Sequence, residues 1–205
     1  MKKRAIKILS LISTVIIVCG YLLYRFHFPH TGSRSGQVIN AVTGKPIEGV
    51  VVSYCWVFSP VMGSNGPAAT FETTTNEDGR YFIPSQEAVC PIPLLYGPLQ
   101  RDKVLIYKDS YAAFMVFHDD DPQLGKSFGY KDYKQPYREK NNIVKLYPWK
   151  QGESHYNHID FIDAMTRSCG QGELLKKELG PERNRAREER LMERAEKTPT
   201  SRDKQ

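Results

Sequence analysis

The chain has 205 residues, of which 40% are hydrophobic and 25% are charged, so it has room for one ordinary domain and short appendages. This composition excludes a wholly disordered chain, a collagen-like chain and a multi-span membrane protein. Lys and Arg number 29 against 23 Asp and Glu, but five of these cations lie in the first 25 residues. The remainder is nearly neutral and lacks the basic surface that nucleic-acid binding requires.

The amino-terminal segment is the first predicted element. Ile8 to Tyr24 is a run of 17 uncharged residues, rich in Ile, Leu and Val and preceded by four cations. About 20 residues cross a hydrocarbon core of roughly 30 Å, and the tyrosines near the end of the run suit a membrane interface. We therefore predict a cytoplasmic stub and one retained transmembrane helix, a signal anchor, over residues 1–25.

Two alternatives to an anchor are open. A cleaved signal peptide is the first, although the run does not end in the small-residue pair that signal peptidase recognises. Lipidation at Cys19 is the second, although Val18 stands where such signals place a small residue. The excess of cations before the run predicts a cytoplasmic amino terminus. For a bacterial source, we expect a single-pass inner-membrane protein with the residues after Arg25 in the periplasm or outside the cell.

A β-rich region over residues 36–149 follows a polar linker at residues 26–35. In residues 49–58, Val50, Val52, Tyr54 and Trp56 alternate with a second set and form the predicted core face. Asn76-Glu77-Asp78-Gly79 predicts a hairpin turn that returns the chain as a partner strand. Strands are predicted at 36–42, 49–58, 70–75, 80–84, 103–107, 112–117 and 142–147. Short strands with regular turns and no intervening helix predict a mainly β fold, an antiparallel sandwich.

The carboxy-terminal region is predicted to be helical. Residues 150–180 contain two short helices, at 154–167 and 173–179, and the second is expected to stop at Gly180-Pro181. Residues 181–205 are dominated by charged side chains. They predict a solvated helical or disordered tail without a buried stripe.

Two stretches in the β-rich region carry a family pattern. Residues 36–52 contain a Gly-x-Val strand and the turn Thr43-Gly44-Lys45-Pro46, which leads to Gly49. Residues 75–83 contain Thr, an Asp-Gly turn and an aromatic. In this order they resemble the carboxypeptidase regulatory-like domain, a transthyretin-like, Ig-like β-sandwich found in many extracytoplasmic bacterial proteins. The resemblance implies that fold over residues 36–149 and an accessory or interaction role without peptidase activity.

The cysteines suggest one disulfide. Beyond the predicted anchor, Cys55, Cys90 and Cys169 would face an oxidising compartment, where at most one pair forms among three. Cys55 lies in an apparent strand and Cys90 in a loop-rich stretch, so Cys55–Cys90 is the candidate pair. The alternative is that Cys55 is a small buried hydrophobic residue.

The metal candidates are two short clusters. His118 and Asp119 open one acidic stretch, and His155 and His158 lie three residues apart, a spacing that places both imidazoles on one helix face. The alternatives are an ordinary polar loop and structural histidines. The sequence contains no nucleophile elbow, P-loop or dinucleotide-binding motif. We therefore predict no catalytic residue and no cofactor.

The aromatic candidates for sugar stacking are Tyr130, Tyr133, Tyr137 and Trp149. The polar stretch around the three tyrosines predicts an exposed loop, whereas coverage of the sandwich edge is the simpler alternative.

The sequence therefore favours a non-catalytic, extracytoplasmic binding or assembly module, with an unidentified envelope protein as its partner. The second hypothesis is a glycan-binding module that uses these aromatics. The third is a metal-dependent enzyme built on His118, His155 and His158.

Overall fold

Two sheets and the helices of the carboxy-terminal region form three layers. The computed structural model describes residues 2–27, 31–60, 68–86, 96–117, 124–137, 140–167 and 169–197. The helices are α1 (Lys2–His27), α2 (His155–Thr166) and α3 (Glu173–Lys197). The strands are β1 (Arg34–Asn40), β2 (Val51–Pro60), β3 (Ala68–Thr74), β4 (Arg80–Ile83), β5 (Tyr96–Tyr107), β6 (Phe114–Phe117), β7 (Leu124–Ser127), β8 (Tyr130–Pro136) and β9 (Asn142–Leu146). The small sheet has the order β4-β1-β9, the large sheet has the order β3-β2-β5-β6-β7-β8, and α2 and α3 form the third layer.

The core between the sheets follows the alternation of β2. Val50, Val52, Tyr54 and Trp56 all belong to the cluster that joins the two sheets, as the sequence pattern predicts. The opposite side of β2 is also buried, because α2 and α3 pack on it through a second apolar cluster. β2 is therefore a central strand with both faces covered, which explains its nearly continuous run of β-branched and aromatic residues.

The strand pairing differs from a purely antiparallel sandwich. β1 pairs antiparallel with β4 but parallel with β9, so the antiparallel prediction is wrong at this edge. β5 and β6 do pair antiparallel across the predicted turn. The described residues are β-rich, with two sheets of unequal size.

The Asn76–Gly79 turn joins the two sheets instead of closing a hairpin. Asn76 and Arg80 exchange the expected turn hydrogen bonds, but β4 pairs with β1 and not with β3. Gly79 has φ +70°, and a Cβ at this position would collide with the Val38 carbonyl oxygen. Its own carbonyl accepts the Val38 N–H at 2.8 Å. The two stretches that carry the family pattern therefore touch each other here.

The third layer depends on a helix longer than predicted. α3 runs through Gly180-Pro181, where the sequence predicts a stop. Its buried positions recur at helical spacing and are Leu175, Leu179, Glu182 and Ala186. Packing of this stripe against the large sheet and α2 compensates for the helix-breaking pair, since tertiary burial supplies most helical stability in proteins.

The prediction of a transmembrane anchor at residues 1–25 is wrong. α1 is helical, but no helix in the described ranges is long and apolar enough to cross a membrane. Its uncharged run has 17 residues, three of them Ser or Thr, whereas a span needs about 20 apolar residues. Three further predictions depended on this anchor and are wrong with it. They are the single-pass inner-membrane location, the membrane as partner and the placement of residues after Arg25.

Candidate functional site

Two predicted metal candidates meet a carboxylate that the sequence analysis did not single out. His155 and His158 lie in the first turns of α2, which begins at the N-cap Ser154. Their Nδ1 atoms lie 2.6 Å and 3.2 Å from the same oxygen, Glu182 Oε1. Glu182 belongs to α3 and is 1% exposed. This contact joins the two helices, and only tertiary packing brings it about because 24 residues separate His158 from Glu182.

The protonation state of His158 follows from its partners. The Ala113 backbone N–H donates to His158 Nε2 at 2.9 Å, so this nitrogen carries a lone pair. Nδ1 then carries the proton and donates it to Glu182. The ring is fully buried between these two partners. Both nitrogens are used, which leaves none for a metal ion or for proton transfer.

Glu182 is held as a buried anion. Burial alone raises the pKa of its carboxyl, but the hydrogen bonds from His158, Arg185 and His155 outweigh burial and lower the pKa to about 2. Arg185 Nη2 donates to Glu182 Oε2 at 2.9 Å and also contacts Asp109 Oδ1 in the β5–β6 turn. The contacts of Glu182 and Arg185 therefore connect α2 and α3 to the large sheet.

The metal hypothesis gains no support from this arrangement. In the ranges that the structure describes, no three His, Cys, Asp or Glu side chains are placed to hold an ion. His118 and Asp119 lie outside the described residues. His155, His158 and Glu182 form a hydrogen-bond network between α2 and α3.

The aromatics proposed for sugar stacking do not form an exposed row. The segment predicted to be an exposed loop is β8, and the side chains of Tyr130 and Tyr133 lie outside the described set. Tyr137 is 5% exposed, and its hydroxyl contacts Tyr54 Oη and Tyr81 Oη at 3.3 Å each. Burial raises its pKa well above the ordinary value. Tyr137 is therefore a core residue.

The Trp149 ring also contacts other side chains of the protein. Its ring stacks on Phe128 at 5.9 Å and on His155 at 4.5 Å, with interplanar angles of 6° and 10°. Both ring contacts come from the protein itself, so Trp149 helps to seat α2 against the sheet.

The disulfide pairs Cys55 with Cys169. This corrects the predicted Cys55–Cys90 pair, although Cys90 itself lies outside the described residues. Thr70 Oγ1 donates to the Cys169 carbonyl at 2.7 Å and holds the same segment. The α2–α3 connection is thus fixed to β2 and β3. No local pattern predicts this pairing, since 114 residues separate the two cysteines.

A hollow on the outer face of the small sheet is the strongest candidate for ligand binding. We call it the small-sheet hollow. It has a volume of about 500 Å³ and is lined by Ser35, Gly36, Gln37, Asn76, Arg80, Tyr81, Phe82, Asn141, Asn142 and Ile143. Phe82 is 60% exposed and Ile143 is 59% exposed. They flank β1 on its two sides, because Phe82 is paired with Ser35 and Ile143 with Gln37.

The polar groups of the hollow are only partly used by the protein. Among the described residues, the Arg80 guanidinium and the Asn141 side chain make no hydrogen bond or ion pair. Asn76 Oδ1 accepts the Arg80 N–H at 2.8 Å, and the amide nitrogen of Asn76 has no partner in the described part of the chain. Gln37 Nε2 donates to the Asp78 carbonyl at 2.8 Å, which leaves Gln37 Oε1 as an acceptor. The hollow thus offers donors and acceptors around exposed apolar side chains.

No sequence pattern singles out this surface. The alternation in Arg80-Tyr81-Phe82-Ile83 predicts that Tyr81 and Phe82 point to opposite faces, but not which of them faces solvent. The pairing of β4 with β1 decides it, since it directs Tyr81 and Ile83 into the core.

Comparison with known proteins does not identify a family. No protein-family model matches this sequence, and no curated protein matches it. A streptococcal ancillary pilin structure matches 60% of this chain and 31% of its own, at 14% identity and a TM-score of 0.30. A crystal structure of a 9R-lipoxygenase from Cyanothece PCC8801 matches 60% of this chain and 18% of its own, at 14% identity and a TM-score of 0.29. These likenesses are too weak to carry an argument, and the carboxypeptidase regulatory-like resemblance stays a prediction.

Proposed function

We propose that this protein is a non-catalytic binding module and that the small-sheet hollow is its recognition surface. The observation that carries this proposal is the combination, in one hollow, of two exposed apolar side chains with the Arg80 guanidinium and with amide atoms of Gln37, Asn76 and Asn141 that have no partner among the described residues. Ligand sites are concave and combine apolar surface with a few polar groups that fix orientation. A volume of about 500 Å³ is within the range of such sites.

The environment of His158 supports the non-catalytic part of the proposal. A histidine that acts as a general base needs a ring nitrogen that can reach a substrate. His158 is fully buried, and both of its ring nitrogens are engaged by the protein. Substitution of His158 should therefore lower the free energy of unfolding more than it changes any binding activity.

The surface is also suited to binding because its strands are hydrogen-bonded to one another. β1 is paired on both sides, and the small sheet rests on the core shared with the large sheet. Side chains that project from paired strands keep a fixed geometry better than those on loops.

A fragment screen tests the proposal without knowledge of the ligand. The full-length protein is screened by saturation-transfer NMR against a library of polar ring fragments. We expect a set of hits that is lost in both Phe82→Ala and Ile143→Ala and kept in Leu191→Ala, a matched truncation of an exposed side chain on α3. Absence of hits, or hits that persist in both hollow variants, would contradict the proposal.

A further inference from the structure

We propose that the small-sheet hollow binds an acidic saccharide, with Phe82 against the face of a sugar ring and Arg80 paired with a sugar carboxylate. This inference rests on the proposed function, because it names the ligand class of the same surface.

The exposed ring accounts for the saccharide part. A sugar ring presents C–H groups on its faces and hydroxyls on its edges, so it packs on an aromatic face while its hydroxyls reach polar neighbours. Phe82 is 60% exposed and projects from β4 beside Ser35 of β1. Covering its ring removes apolar surface from water.

The surrounding amides match the edges of such a ring. A side-chain amide carries both a donor and an acceptor, which suits hydroxyl groups on neighbouring carbons. Asn76, Gln37 and Asn141 each line the hollow with amide atoms that have no internal partner in the described part of the chain. Asn141 is held in a left-handed conformation, φ +56°, where the chain turns into β9.

Charge complementarity accounts for the acidic part. Arg80 is the one lining residue with a charged side chain, and it has no ion pair among the described residues. Glu77 and Asp78 lie in the same turn but do not line the hollow. A guanidinium presents parallel N–H groups that match a carboxylate, so an anionic ligand is favoured over a neutral one.

An acidic peptide fits this surface less well. Extended peptides are commonly bound by adding a strand to a free sheet edge. The centre of the hollow is β1, whose backbone is already paired with β4 on one side and β9 on the other. Recognition there must use side chains.

The test compares three polymers with the full-length protein at low salt. Polygalacturonate supplies sugar rings with carboxylates, dextran supplies neutral sugar rings, and poly-L-glutamate supplies carboxylates without sugar. We expect polygalacturonate to bind at least about tenfold more tightly than the other two. Phe82→Ala and Arg80→Gln should each weaken that binding by about tenfold, since one buried ring or one charge-assisted pair is worth at least that factor.

Matched controls are available on α3. Leu191→Ala truncates an apolar side chain that is 56% exposed, and Arg187→Gln removes an exposed guanidinium. Neither should change binding to polygalacturonate.

Each contrary outcome has a separate meaning. Equal or tighter binding of dextran or poly-L-glutamate overturns the acidic saccharide, and if Phe82→Ala abolishes that binding the proposed function stands. Binding of polygalacturonate that survives both hollow variants overturns this inference and counts against the proposed surface. Absence of binding to all three polymers overturns this inference, and the fragment screen then decides the proposed function independently.

Discussion

Ala113 donates its backbone N–H to Nε2 of His158 at 2.9 Å, a bond that crosses from the large sheet to α2 and makes the ring a donor toward Glu182. The fully buried imidazole therefore links three elements. Buried polar groups of this kind cost little when all their partners are present and much when one is lost.

The first prediction concerns that ring. His158→Phe keeps an aromatic of similar size but leaves the Ala113 N–H and one Glu182 contact unmet. We expect a loss of about 3 kcal/mol in the free energy of unfolding, measured by urea denaturation. His155→Phe, at a half-buried position, should cost about 1 kcal/mol. Equal losses for the two variants would contradict the role assigned to His158.

The second prediction is a pH dependence that comes from Glu182. Its pKa is lowered from 4.5 to about 2 in the folded protein, so the folded state favours the ionised form. The resulting stability is fully present above about pH 4.5 and is lost as the pH falls toward 2, with a total of about 3 kcal/mol. Urea titrations at pH 7, 4.5, 3 and 2 should show this loss in the wild type. Glu182→Gln should lack that component, and identical pH profiles would argue against an ionised Glu182.

The third prediction concerns the disulfide. A non-reducing peptide map should contain a fragment that links Cys55 to Cys169. Because the bond closes a loop of more than 100 residues, Cys55→Ala with Cys169→Ala should lose about 3–5 kcal/mol of stability. Cys19→Ser changes an exposed free cysteine and serves as the control. A Cys55–Cys90 fragment would contradict the pairing.

The fourth prediction tests the continuity of α3. Gly180 lies inside α3, and a Cβ at this position would meet no other atom within 4 Å. Gly180→Ala should therefore stabilise the protein by about 0.5–1 kcal/mol. If α3 ended at a left-handed Gly180, the same change would destabilise it. Thermal unfolding measures both variants. Gly79→Ala places a Cβ against the Val38 carbonyl oxygen at a positive φ, so this variant should destabilise the protein.

The fifth prediction concerns Tyr107. Its hydroxyl is buried and has no hydrogen-bond partner among the described residues. Tyr107→Phe removes this unmet group and keeps the ring, so the free energy of unfolding should stay level or rise by about 1 kcal/mol. A clear loss of stability would indicate that the hydroxyl has a partner, such as a buried water.

The sequence predicted best where a signal is local. The alternation of β2, the turn at Asn76–Gly79 and the β5–β6 pair each depend on residues a few positions apart, and all three occur in the structure, although the turn does not close the predicted hairpin. The stop predicted at Gly180-Pro181 failed for a related reason. That prediction depended on local helix propensity alone. It did not include the burial of Leu179 and Glu182, which lie on either side of the Gly-Pro pair.

What the sequence by itself determined is a β-rich region followed by helical segments, because side-chain periodicity and turn residues act over short distances. Only the tertiary structure decided the contacts between distant residues. These are the partner of Cys55, the Glu182 carboxylate between two histidines, and the side of β4 that exposes Phe82. Each depends on which elements become neighbours in the fold. Pairing between strands and packing between layers set those neighbours, and the residues involved lie from 24 to 114 positions apart.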